Sequence, residues 1–259
     1  MPTTIAVTTE RNVARVTLAR PDVRNAFNAQ VIAELCDAFT ALSHDESVRA
    51  VVLAGEGKTF CGGADINWMR GALELGYDRN VADAEAMSAM FRAIDGCAKP
   101  VIGRIHGAAL GGGAGLTAVC DIAIASDETI FGFTEVKLGI IPAVISPFVL
   151  AKIGVSHARA LFLTGERFNA ARAHHIGLIH EIVALDAIDA AVERVVAEIR
   201  TAGPEAIATA KALIPAVTAA GYDDSLSITA HAIAKARTSD EGQEGLRAFL
   251  ERRTAGFAE

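Results

Sequence analysis

No apolar run in the chain approaches the ~20 residues that span a bilayer. The apolar 51% of its 259 residues is instead broken into short patterned stretches, ample for one large core or two small ones. The first ten residues, MPTTIAVTTE, lack the basic start and apolar middle of a secretory leader, so a soluble, cytoplasmic protein is expected. The four cysteines, Cys36, Cys61, Cys97 and Cys120, stand far apart without paired spacing, which suggests neither a disulfide framework nor a metal site. His174, His175 and His180 show no convincing ligand spacing either. A basic excess is missing too. The net charge of −7 disfavours nucleic acid while leaving room for an anionic small molecule at a local cationic spot. Ser146 lies beside Pro147 without the G-x-S-x-G elbow of a serine nucleophile. No fixed-period repeat or low-complexity tract is visible.

What the chain does have is glycine in two places. Residues 102–121, IGRIHGAALGGGAGLTAVCD, put Gly111, Gly112 and Gly113 between an apolar strand signal and an apolar helix signal. Without Cβ atoms that backbone can approach another group closely, and a helix beginning there would present unpaired amides at its positive end. Tight packing of helix on strand explains the glycines about equally well. Residues 51–66, VVLAGEGKTFCGGADI, repeat the theme: strand, glycine-rich loop, then a helix start with Asp65 near its first turn. Amides from the two loops, at Ala64 and Gly112, are therefore candidates for a shared oxyanion hole, where losing one donor raises a barrier by about 2.7–4 kcal/mol.

The rest of the chain alternates strand and helix patterns, which predicts an α/β architecture. Residues 4–9 and 12–19 read as an edge hairpin, and a helix is expected from Asn28 to Leu42 with Val31, Ile32, Leu35 and Phe39 on one face. A strand at 49–54 follows, then helical residues with Trp68 and Met69, a mobile connection at 71–80, a helix at 81–95 and a strand at 101–105. Short strands are expected at 121–126, 129–133 and 179–183, with helices near 186–201, 204–214, 222–236 and 239–253. The last helices are alanine-rich with an apolar face suited to packing between subunits. Glu135 lies in the apolar run FGFTEVKLGIIPAVISP. Burial there would raise its pKa and suit it to proton transfer, whereas pairing with Lys137 would make it structural. Arg24 is either a solvated loop charge or a phosphate contact.

Five stretches in order, RPDVRNAFN, TFCGGADI, IHGAALGGGAGLTAVCDIAIAS, FTEVKLGIIP and LTGERFNAARAHHIGLIHEIV, resemble the crotonase (enoyl-CoA hydratase/isomerase) superfamily over nearly the whole chain. The resemblance implies a crotonase-like spiral of ββα turns over 1–200, and a helical oligomerisation region at 201–259 that forms a trimer or a dimer of trimers. It implies an acyl-CoA thioester as substrate, with no cofactor beyond the substrate's own coenzyme A. Position by position, the amides of Ala64 and Gly112 would hold the thioester oxygen. Arg24 and Ala26 would meet the coenzyme's phosphates and adenine, Asp65 and Ile66 its adenine side. Phe249 and Arg252 would be lent to a neighbouring subunit's site.

Glu135 matches the second catalytic glutamate of the family, but the first falls at Gly115 and is absent. A single glutamate is similar to family isomerases. The combination GADINWM, GGGAGL and TEVKLGIIPAVISP looks most like the methylglutaconyl-CoA hydratase-like branch, which implies hydration of a 2-enoyl-CoA, with branched or carboxylated chains among the candidates. A non-catalytic acyl-CoA-binding protein is the remaining alternative. Val144, Ile145 and the hydroxyl of Ser146 are placed near the acyl pocket together with Trp68. Arg70 or Arg79 would pair with a substrate carboxylate, if not simply solvated.

Overall fold

In the computed structural model, which describes residues 4–258, the order of elements follows the periodicity of the sequence. A hairpin of β1 (Ile5–Glu10) and β2 (Val13–Leu18) leads to α1 (Ala29–His44), capped by Asn28, whose side chain accepts from the Val31 amide at 2.9 Å. Then come β3 (Ala50–Gly55), α2 (Ile66–Ala72), α3 (Tyr77–Asp95), β4 (Val101–Ile105), β5 (Ala108–Leu110), α4 (Gly112–Val119), β6 (Ile122–Ser126) and β7 (Ile130–Gly132). After a 3-10 turn at Glu135–Leu138 follow α5 (Ser146–Thr164), β8 (Arg167–Asn169), α6 (Ala170–His175) and β9 (Glu181–Val183). The chain closes with α7 (Ile188–Thr201), α8 (Pro204–Ala219), α9 (Tyr222–Thr238) and α10 (Asp240–Glu251).

The main sheet runs β1-β2-β3-β4-β6-β9, parallel except for the β1–β2 hairpin, and a second runs β5-β7-β8. Its central strands read as continuous apolar runs because both faces are covered. Val51, Leu53, Val101 and Ile105 point into the large core, while Ala50, Val52, Ile102 and Ile124 form a smaller one under Ile188, Val192 and Val196 of α7. The expected α/β class is thus what the chain adopts, with helices gathered at its C-terminal end.

Several boundaries differ from the sequence reading. The connection expected at 71–80 is largely helix: α3 starts at Tyr77, with the Asn80 side-chain amide donating to the carbonyls of Leu75 and Gly76 at 3.0 and 3.2 Å to fix the first turn. β5 and β8 are additional strands of three residues each, whose flanks carry no strand pattern. α8 continues through Pro215 to Ala219, because packing on α9 outweighs the lost hydrogen bond.

Candidate active site

The first glycine loop lies between two extended segments. On one side the Phe27 amide donates to Gly63 O at 2.7 Å, and the Asp65 amide donates to Phe27 O at 2.8 Å. On the other, Cys61 pairs in parallel with Ala109 of β5. In a parallel ladder that bonds Phe27 to residues 63 and 65, the N–H of residue 64 points away from Phe27, toward the β5 side where α4 begins. Gly63 has φ +99°, and a Cβ there would stand 3.0 Å from Leu110 O, so the approach of the two loops requires glycine.

The second loop is the start of α4. The Gly111 amide donates to Gly132 O at 2.8 Å, while neither the Gly112 nor the Ala64 amide has a protein acceptor among the described residues. A Cβ on Gly112 would lie 2.3 Å from the Phe27 ring, so nothing larger fits between this turn and the core. Ala64 and Gly112 line one cavity of about 340 Å³ together with Glu135.

Glu135 opens the 3-10 turn that closes with the Gly139 amide donating to Val136 O. Its Oε1 is 3.2 Å from where a Cβ on Gly111 would be, and its Oε2 is buried with no hydrogen-bond partner among the described residues. Burial pushes this carboxyl above its ordinary range, opposed only by its own backbone N–H. Lys137 is exposed and is not its partner among the described residues, so the ion pair weighed from sequence does not form.

The position of the missing glutamate is filled. A Cβ on Gly115 would meet Ile145 Cγ2 at 2.4 Å and Phe91 at 3.1 Å. Val144 and Ile145 do line the cavity, as does Trp68, but Ser146 does not. Its hydroxyl donates to Ala143 O at 2.7 Å in the turn into α5.

Arg24, Ala26 and Asp65 come together around a residue that the motifs did not single out. Arg20 donates to Ala26 O at 2.6 Å and to the Asp65 carboxylate at 2.7 Å, and the Gly62 amide donates to Arg24 O at 2.8 Å. Arg24 itself is exposed, in the left-handed region. Asp65 caps α2 through the Asn67 amide. Burial pushes its carboxyl up, but hydrogen bonds from Arg20 and the α2 amides outweigh this and hold it below the ordinary range. Ile66 is 75% exposed and lies outside the cavity. Phe249 and Arg252, at the end of α10, are exposed and are not brought to the cavity within one chain.

Asn80 and Asp83 also line the cavity and were missed by sequence reading. With Met87 they follow the 3–4 residue spacing of one helix face, a signal hidden by starting that helix at 81. Arg70 and Arg79 are absent from the lining; Arg70 donates to Asn67 at 3.2 Å. Among the described residues no group of three or more His, Cys, Asp or Glu side chains is placed to hold a metal, and no helix is long and apolar enough to cross a membrane.

The enoyl-CoA hydratase/isomerase family model matches residues 8–259. A crotonyl-CoA hydratase of Syntrophomonas wolfei is 33% identical, the match covering 96% of this chain and 95% of that protein. An enoyl-CoA hydratase structure from Shewanella pealeana superposes with a TM-score of 0.94 at 37% identity, covering 98% of this chain and 95% of that one. Pseudomonas aeruginosa AtuE superposes with a TM-score of 0.96 at 36% identity over 99% of this chain and all of the other, 100%. With the family model, the relatives and the fold in agreement, the chain belongs to the enoyl-CoA hydratase/isomerase family of the crotonase superfamily.

Proposed function

We propose that the protein hydrates a 2-enoyl-CoA thioester through an enolate held by the Ala64 and Gly112 amides, with Glu135 as its acid and base. The observation that carries this is the Glu135 carboxyl, one oxygen of which is buried without a partner among the described residues, lining the same cavity as two amides that have no acceptor among them. Glu135 as carboxylate takes a proton from water while the water oxygen bonds to Cβ. The Cα=Cβ electron pair shifts toward the thioester oxygen, where two fixed amide dipoles stabilise the charge. Glu135 then returns the proton to Cα, so the net change is addition of one water. A carboxyl raised by burial suits both halves of this exchange.

Arg24, Ala26 and Asp65 are assigned to the coenzyme, whose own thioester is the only group the chemistry needs. Phe249 and Arg252 are assigned to a neighbour's coenzyme in a trimer or a dimer of trimers in the cytoplasm. The exposed apolar Ile214, Leu226, Leu246 and Leu250 of α8–α10 support such an assembly. Among the candidate acyl groups we favour uncharged ones over the carboxylated chain of a methylglutaconyl thioester. The ionisable side chains lining the cavity, Asp83 and Glu135, are both acids, and among the described residues no Lys, Arg or His lines it.

The rival reading, isomerisation by a single glutamate, draws on Ile145 filling the space at Gly115. Mass spectrometry separates the two: hydration adds one water to crotonyl-CoA, whereas isomerisation converts a 3-enoyl-CoA without mass change. We expect Glu135→Gln to lower kcat by about 10²–10⁴-fold. Hydration by that variant at the parent rate would remove Glu135 from the mechanism, and tight acyl-CoA binding with no turnover would make the protein a binder.

A further inference from the structure

A second space of about 290 Å³ is an open groove between α1 and α3 that Trp68 also lines, with Ala29, Ala33, Asp37 and Ala86 exposed along it. It exists because the two helices face each other there with small side chains, Ala29 and Ala33 against Ala86 and Ala89, over a floor of Ile32 and Cys36. Trp68 and Asp83 line both this cavity and the one that holds Glu135. Trp68 is half-buried, with its indole packed on the main core from the short helix α2, so a single aromatic side chain and one carboxylate divide two largely apolar spaces.

We infer that Trp68 is the residue that limits acyl-chain length, and that the α1/α3 cavity takes the distal methylenes of a neutral acyl chain once the indole is trimmed or turned aside. This rests on the acyl-CoA reading of the first cavity. The occupant follows from continuity and chemistry. An acyl chain anchored by its thioester at Ala64 and Gly112 extends into the first cavity, past whose wall lies apolar surface from α1 and α3. Asp37 and Asp83 at the edges of the second space disfavour an anionic end group there. Each methylene moved from water to apolar surface is worth about four-fold in affinity, so two or three of them change chain-length preference by more than ten-fold.

The experiment compares kcat/KM for crotonyl-CoA and 2-dodecenoyl-CoA in the parent, Trp68→Ala and Trp68→Ala/Ala86→Phe, together with the Kd of butanoyl-CoA and dodecanoyl-CoA by calorimetry. Trp68→Leu is carried alongside, trimming the indole while keeping an apolar side chain should the alanine variant not fold. The expected result is a rise of more than ten-fold in the dodecenoyl-to-crotonyl ratio on trimming Trp68, reversed when the Ala86→Phe ring fills the second cavity. An unchanged ratio overturns the inference. A rise that Ala86→Phe leaves intact also overturns it, because the chain then leaves by another route. If the binding ratio shifts as expected while no variant hydrates either enoyl thioester, the length limit stands and the hydratase reading fails. Absence of both turnover and acyl-CoA binding removes both.

Discussion

Adding one methyl group at position 115 tests the reasoning about the missing glutamate without any assay of chemistry. Gly115 lies in α4, and a Cβ there would stand 2.4 Å from Ile145 Cγ2, 3.1 Å from Ile145 Cβ and 3.1 Å from Phe91 Cε1. Carbon atoms pack best at about 3.5–4.0 Å, so the closest contact is more than an ångström too short. Both neighbours belong to the packed core, Phe91 fully buried and Ile145 nearly so. Relief therefore requires displacement of a helix or an off-rotamer isoleucine. Overpacking of this kind costs about 1–3 kcal/mol, from which alanine's better helix propensity takes back about 0.5–1 kcal/mol, so Gly115→Ala should show a net loss of up to about 2 kcal/mol as a lower urea midpoint with unchanged slope. Ile145→Leu conserves volume but removes the Cγ2 branch that the new methyl meets, and alone should cost less than about 1.5 kcal/mol. In that background the Gly115→Ala penalty should shrink, with a coupling of about 1 kcal/mol or more in a double-mutant cycle. Additivity within about 0.5 kcal/mol in that cycle, where the helix-propensity gain cancels, would show that Ile145 does not occupy the space of the absent side chain. A glutamate restored at 115 carries the same Cβ, so it too should need a change at 145.

Glu135 makes a second prediction through stability. Its carboxyl is raised above 4.5 by burial, so the folded protein binds that proton more tightly than the unfolded chain. The stabilising contribution of the neutral form is complete below the unfolded value and is lost as pH rises through the folded one. Glu135→Gln should match the parent near pH 4 and exceed its urea midpoint at pH 8; a variant less stable at pH 8 would refute the buried, unpaired assignment. Asp65 has the opposite sign. Held below its ordinary 3.8 chiefly by Arg20 against the effect of burial, it contributes stability above that value, which is lost as pH falls through the folded one. Asp65→Asn should cost about 2–3 kcal/mol at pH 7, less than a fully buried pair because Arg20 is partly exposed, and the deficit should narrow in acid. Finally, burial pushes the thiols of Cys61 and Cys120 up to about 12. Cys97 is also buried and raised, while Cys36 is partly exposed. Iodoacetamide at pH 7.5 should therefore label Cys36 in the folded protein and all four cysteines after denaturation, read by mass spectrometry; native labelling of Cys61 would contradict the packing of the first glycine loop.

How much was legible in the sequence depended on whether a residue's role is set by local or by distant neighbours. The helix starting behind Asn28, expected to Leu42 and ending at His44, and the strand expected at 49–54 and found at 50–55 follow from short-range pattern to within two residues. The two glycine loops were visible because close backbone approach leaves only one residue type possible. β5 and β8 were not seen because Ala108–Leu110 runs into the glycine stretch and Arg167–Asn169 lies directly between α5 and α6, so their flanks carry no strand pattern. Asn80 was lost to two glycines and mixed polarity at 71–80, which read as a connection although Asn80 itself secures the first turn of α3; without it, Asp83 and Met87 showed no shared face with the pocket. Arg20 was passed over for its neighbour Arg24. Its bonds span from residue 20 to 65, and no local pattern announces them. The Ser146 hydroxyl was directed to the pocket because sequence places it next to Val144 and Ile145, yet the turn into α5 engages it with Ala143.

Glu135 stands apart from the paired carboxylates of the molecule. Asp65 is paired with Arg20, Asp121 with Lys211 and Asp189 with Arg104, each at 2.7 Å. Asp95 is raised by burial, but the charges of Lys211 and Lys152 oppose that shift. Glu135 has no such cation: it has a carboxyl oxygen buried without a partner among the described residues, at the wall of a cavity also lined by Gly112 and Ala64. Burying an ionisable group without compensation lowers stability, so packing alone gives no reason for a glutamate there, where an alanine or leucine would cost less. A proton-transfer role does give one, because the same uncompensated burial brings the carboxyl nearer to the neutral range in which it can both accept and return a proton. Ile145 then has a consistent place as well. By filling the space beside Gly115 it keeps that part of the wall apolar and leaves Glu135 as the carboxyl beside Gly111 and Gly112.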